Sequence, residues 1–179
     1  MKKINVNQYR NIINGILFQL IWLSVIKGFT LLGLALLSVM FIHYLFYLLR
    51  DADRIVAANL LFCLKVAVVG ITVDTLYTLS SFYSFPSYEH HQLGVIPSWL
   101  CMLWVGFSLT LTMSLHFIVV KERLFKILCT IFGPLSYLAA REYGAIDFSN
   151  AVLLFIAIEW LVIGAVIIYF DALRVRSLS

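Results

Sequence analysis

The sequence predicts an all-α fold, a polytopic transmembrane helix bundle, and three observations carry that prediction. Hydrophobic residues fill 63% of the 179 positions and charged residues only 12%. Mean hydropathy is +0.99. The apolar residues also gather into runs much longer than the ~9–11 residues of a membrane barrel strand. This balance lies far outside that of soluble domains. In lipid, only helices and closed barrels satisfy their own backbone, and runs of this length select helices.

Six apolar segments can be read, at 12–26, 29–49, 56–79, 97–120, 124–140 and 152–170, most of them near the roughly 20 residues that a spanning helix needs. The first runs into Val25-Ile26-Lys27-Gly28 without a small-x-small cleavage pattern, so it is expected to stay as a helix rather than act as a signal peptide. On it Asn11, Gly15, Phe18, Gln19 and Trp22 fall within about a third of the helical wheel, an expected inward face. The second segment carries His43, and the third carries Lys65 and Asp74. Pro97 can open the fourth, where its missing N–H is harmless. Trp99 and Trp104 then read as interfacial anchors.

Residues 108–116 alternate polar and apolar as a strand would. On a helix they split into two faces, Ser108, Thr112 and His116 on one, with Thr110 and Ser114 behind. Such a helix is expected to meet neighbours on both sides and to lie centrally, its hydroxyls bonding back to backbone or across helices. The fifth segment is short and contains Gly133-Pro134, so five spans plus a re-entrant or broken segment is the alternative to six. Inside a helix Pro134 frees the carbonyl of Thr130, and Ser136 and Tyr137 bring hydroxyls close by. The loops leave no room for a soluble domain, and residues 1–179 read as a single bundle.

Ten basic residues, Lys2, Lys3, Arg10, Arg50, Arg54, Lys121, Arg123, Lys126, Arg174 and Arg176, fall on one side of a six-span arrangement, against Lys27 and Arg141 on the other. By the positive-inside rule both termini face the cytoplasm. The net charge of +4 is thus topological, and no basic stripe interleaved with aromatics points to nucleic acid. Cys63, Cys101 and Cys129 all lie in apolar segments and read as small core residues. His90 and His91 in the 88–92 loop are adjacent and so point in different directions, and no metal or cofactor site is expected.

Asp74 is the most informative residue. A carboxylate at membrane depth costs at least ~2.5–3.5 kcal/mol on insertion scales, so its presence marks a buried polar site. Tyr77 and Thr78 share its helical face, and Gln19, Trp22, Trp104, Thr112, His116, Ser136 and Tyr137 complete the candidate set. Counting depth from the segment ends puts Lys65 and Glu159 both near mid-bilayer. They are candidates for an interhelical ion pair, for which a static structural bridge is the plainer reading.

These residues resemble a family of small bacterial inner-membrane proteins known as domain of unknown function 2878. The resemblance rests on Phe18-Gln19 with Trp22 and Gly28, on Asp74, on Pro97-Ser98-Trp99 with Leu103-Trp104, Phe107, Thr110-Leu111 and Ser114-Leu115, and on Gly133-Pro134-Leu135-Ser136-Tyr137 with Gly144-Ala145. It spans nearly the whole chain, with Ala139-Ala140 standing where the family pattern has Ala-Gly. The resemblance implies no settled activity. It does imply a gene neighbourhood of cyclopropane-fatty-acid-synthase-like methyltransferases and flavin-dependent enzymes of lipid metabolism, and hence membrane lipids and lipid-modifying enzymes as partners.

Three functions are then open. The first is an accessory or scaffold in membrane-lipid modification, its groove shaped by Asp74, Gln19, Trp104, Ser136 and Tyr137. The second is a small proton-coupled transporter or lipid flippase, for which a homodimer would supply a missing half. The third is an intramembrane enzyme, ranked last because no nucleophile and base motif is present.

Overall fold

The structure, a computed structural model, describes residues 6–50, 53–86, 92–93 and 96–178. Lys2, Lys3 and the His90-His91 pair lie outside the described residues. Seven helices are formed among those described: α1 (Val6–Ile26), α2 (Thr30–Leu48), α3 (Asp53–Leu79), α4 (Ser98–Leu111), α5 (His116–Val119), α6 (Glu122–Glu142) and α7 (Val152–Arg176). Two short strands, β1 (Gln92–Leu93) and β2 (Ile96–Pro97), pair antiparallel just before α4.

The all-α bundle is the predicted one, but the irregular segment is a different one. Five helices, α1, α2, α3, α6 and α7, are long and apolar enough to cross a membrane, and α4 is the shorter apolar helix. The expected helix over 97–120 is interrupted at Thr112, Met113, Ser114 and Leu115. The fifth segment, by contrast, runs unbroken through Pro134. Proline was the local signal, yet the interruption falls where a distant residue bonds to the chain. Asn14, fully buried on α1, accepts a 2.7 Å hydrogen bond from the Ser114 hydroxyl and donates to the carbonyl of Leu109. Asn14→Ala removes both, and an unsatisfied buried partner costs about 1–3 kcal/mol. A lower melting temperature of the purified protein in detergent is the expected result, and an unchanged one would show that the break does not depend on α1.

Helices α1, α3 and α6 end in the same way, at one end of the bundle. Gly28 (φ 86°), Ser81 (φ 58°) and Gly144 (φ 70°) are left-handed. The amides that follow them, of Phe29, Phe82 and Ala145, bond back to the carbonyls of Ser24, Tyr77 and Ala140. This is the Schellman closure. The loops at this end, here called the hairpin end, are tied together by reciprocal 2.9 Å bonds between the backbones of Ser84 and Asp147. Arg141 adds bonds to the carbonyl of Phe148 and the side chain of Asn150.

Packing follows the order α2, α1, α4, α3, α7, α6, with α4 in the middle against α1, α2 and α3, as its two-faced polar pattern requires. Apolar side chains such as Leu31, Ile42, Leu64, Phe132 and Leu154 point outward, the surface that lipid covers. Three inward readings change. On α1 the buried face carries Asn14, Ile21 and Val25, and Gln19 is exposed. Trp99 and Trp104 are core residues instead of interfacial anchors. Lys65 and Glu159 do not pair: the Lys65 ammonium lies 5.7 Å from the centre of the Phe170 ring, and both oxygens of Glu159 lack any hydrogen-bond partner among the described residues.

Candidate functional site

Asp74 has no accessible surface. Its position five residues before the end of α3 sets it about 8 Å below the hairpin end, at ~1.5 Å per residue. Three donors converge on it from three other elements. Tyr83, in the loop that follows α3, and Tyr137 of α6 (2.5 Å) both donate to Oδ1, and the indole of Trp104 on α4 donates to Oδ2 at 2.5 Å. Tyr83 reaches inward because Ser81 closes α3 and the Ser84–Asp147 bridge pins the chain just beyond it. A set of three donors is the partner set a carboxylate takes, and it explains how this group is accommodated in an apolar bundle.

Beside the hub lies an aromatic layer. The rings of Trp104 and Trp160 stack with centroids 5.3 Å apart and planes 17° off parallel. Phe107 meets both edge to face, and Tyr137 sets its edge against Trp160. The two outer faces of the stack rest on backbone. A Cβ added at Gly70 of α3 would overlap the Trp104 ring, and one added at Gly133 of α6 would overlap Trp160. Gly133 is therefore explained by the indole seated on it.

Trp104, Tyr137 and Trp160 form one wall of a cavity of about 650 Å³ that lies between α1 and α4 on one side and α6 and α7 on the other. Phe18, Gln19 and Trp22 line its α1 side, and Phe132, Gly133 and Ser136 its α6 side. Helices α1 and α6 are not among the pairs that pack extensively. The cavity is thus bounded on that flank by the side chains of Gln19 and Phe132, both exposed. The Ser136 hydroxyl is bonded to the carbonyl of Gly133 at 2.7 Å, leaving a lining that is almost wholly apolar.

Gln19, Trp22, Trp104, Ser136 and Tyr137 are therefore brought together at one cavity, and Trp104 and Tyr137 also reach Asp74. The other sequence candidates do not line the cavity, although Tyr77 packs 5.9 Å from the ring of Tyr83 beside the hub. Tyr77 donates to the carbonyl of Phe155, and Thr78 bonds back to the carbonyl of Asp74. Thr112 meets the hydroxyl of Tyr44 at 3.0 Å. His116 is 3.4 Å from Arg174, which also binds Asn59 and Asp171 at the opposite end of the bundle. Tyr83 and Trp160 were missed. Tyr83 sits beyond the end of its helix, where wheel arithmetic stops, and Trp160 follows a charged residue that drew attention to itself. Among the described residues no group of three His, Cys, Asp or Glu side chains stands in a metal-holding arrangement.

A bundle of apolar helices with a hydrogen-bonded carboxyl in its interior is a multi-pass membrane protein. More particularly, the chain belongs to the family described as protein of unknown function (DUF2878), which matches residues 11–166. No curated protein and no solved structure matches the chain.

Proposed function

We propose that this protein is an accessory component of membrane-lipid modification, in which the aromatic cavity holds the apolar chain of a lipid while partner enzymes act on the membrane around it. One observation carries the reading: a cavity of about 650 Å³ lined by Trp, Phe, Leu and Tyr side chains on the flank where α1 and α6 do not close against each other. That volume falls within the roughly 300–1,000 Å³ of small-ligand sites. Its few polar groups suit a chain better than a head group. The distribution of basic residues supports a topology with both termini on the cytoplasmic side of the membrane. Asp74 is then the post that orients two residues of one cavity wall, Trp104 and Tyr137, and it is not itself in contact with the lipid.

The test is capture of a photoactivatable acyl-chain lipid by protein reconstituted in vesicles, with the cross-linked peptides identified by mass spectrometry. Cross-links to the α1 and α6 linings are expected, together with a marked loss in Ser136→Trp, whose indole would project into the space and crowd the chain. Equal capture by a Ser136→Trp protein of wild-type melting temperature would sink the reading. In cells, a deletion strain should show an altered lipid profile that wild type restores and Ser136→Trp does not.

A small proton-coupled transporter or lipid flippase is the second reading, favoured by the presence of a second acid, Glu159, inside the bundle. It predicts transport of a head group in proteoliposomes, which the accessory reading does not.

A further inference from the structure

Glu159 on α7 is 5% exposed, and neither carboxyl oxygen has a hydrogen-bond partner among the described residues. Its surroundings explain why none is supplied. The level of Glu159 on α7 is set by two contacts with α3, Tyr77 to the carbonyl of Phe155 and Lys65 to the ring of Phe170. Interpolation between these contacts puts Glu159 opposite Asp74. The ionisable side chains that act on one another here are Asp74 and Tyr77 of α3, Tyr83 of the following loop, Cys101 of α4, Tyr137 of α6 and Glu159 itself. No basic residue is among them. Asp74 has already engaged Tyr83, Tyr137 and Trp104, so the donors of the site are spent on one of its two carboxyls.

Two carboxylates facing each other from α3 and α7 in an apolar interior, without a cation among the described residues, cannot both stay ionised, since like charges and desolvation act together. Among the described residues no side chain supplies the pair with a positive charge, and a bound proton supplies it most simply. We infer that Glu159 is a proton-binding site: it carries the single exchangeable proton of the Asp74 and Glu159 pair, while Asp74 keeps its three donors. The geometry separates this site from the lipid cavity, because Trp104, Tyr137 and Trp160 line the cavity and the two carboxyls are not among its lining residues. Proton binding at Glu159 therefore stands whether or not a lipid is held in front of it.

The deciding experiment is pH-difference infrared spectroscopy on the full chain reconstituted in lipid, which reads the C=O stretch of a protonated carboxyl directly and needs no reagent to reach it. Expected is one protonated-carboxyl band that disappears as pH rises, is absent from Glu159→Gln, and remains in Asp74→Asn. Changing sodium for choline at fixed pH should leave it unaltered. A band lost in Asp74→Asn and kept in Glu159→Gln would place the proton on the other acid. Loss of the band on adding sodium would make this a metal-cation site, and the absence of any band that changes with pH would remove the exchangeable proton altogether. Should Glu159→Gln fail to fold, assignment on wild type by modification with an apolar carbodiimide decides the same point. Adduct on the peptide containing Glu159 that diminishes as pH rises supports the inference, and adduct on Asp74 overturns it.

Discussion

Asp74→Ala is expected to be the most damaging single substitution of a polar residue in this chain, preventing accumulation or lowering the melting temperature of the purified protein more than any single donor deletion. The reason is the geometry of the hub. One carboxyl accepts from Tyr83, Tyr137 and Trp104, and all three donors are buried. Removing the acceptor strands every one of them at about 1–3 kcal/mol each, against a total stability of only ~5–15 kcal/mol for a typical domain. Asp74→Asn should fall between wild type and alanine. Its amide oxygen can take the Trp104 N–H, and its NH2 can donate to phenol oxygens that rotate to accept. What it loses is the stronger bonding of a charged acceptor, about 1.5–3 kcal/mol per bond against ~0.5–1.5 for a neutral one. Tyr83→Phe and Tyr137→Phe each delete one donor and leave the acceptor in place, so each should cost less than Asp74→Ala. Because both phenols share Oδ1, their double variant should depart from additivity. Melting of the five variants beside wild type in one detergent gives the order, and an Asp74→Ala protein as stable as wild type would show that the hub does not hold the bundle together.

The class of fold was legible because lipid imposes a simple rule on composition and run length, and Asp74 was legible because it broke that rule. Its partners were not. Tyr83 lies outside any helical face, and Trp104 and Tyr137 are 30 and 63 residues away from it in sequence, so no periodicity connects them. The misplacement of the irregular segment has a similar origin. Pro134 is a local breaker, but the interruption at 112–115 is met by Asn14, 100 residues distant from Ser114. The Lys65 and Glu159 pairing failed through depth counting from hydropathy limits. The last helix continues to Arg176, beyond the apolar run that ends at 170, and so Glu159 is the eighth of 25 residues, well off its centre. Lys65 is the thirteenth of 27 on α3. Chain length hidden in polar helix ends moved one residue and spared the other.

The second large effect is expected at Gly133, and its sign runs against helix propensity. Alanine is favoured over glycine by about 1 kcal/mol within a helix, so an unconstrained Gly133→Ala would stabilise α6. Here the new methyl overlaps the Trp160 indole, and relief requires the ring to move. Trp160 is stacked on Trp104, which itself rests on Gly70 and donates to Asp74, so both ring faces of the layer are covered and Trp160 can shift only towards the cavity it lines. Overpacking of this kind costs typically ~1–3 kcal/mol, and displacement of Trp104 adds strain on its bond to Asp74. A lower melting temperature is expected, with a change in the near-ultraviolet circular dichroism of the two indoles. Gly15→Ala provides the control: its methyl would meet the Cβ of Ser114 at 3.4 Å, an ordinary contact, so stability should hold or rise. Replacing the ring that is struck should also rescue the variant. In Gly133→Ala with Trp160→Leu the methyl has room, and the coupling energy between the two changes should be favourable. If Gly133→Ala melts above wild type with its indole spectrum intact, Trp160 is not seated on the glycine and the wall behind the cavity is built differently.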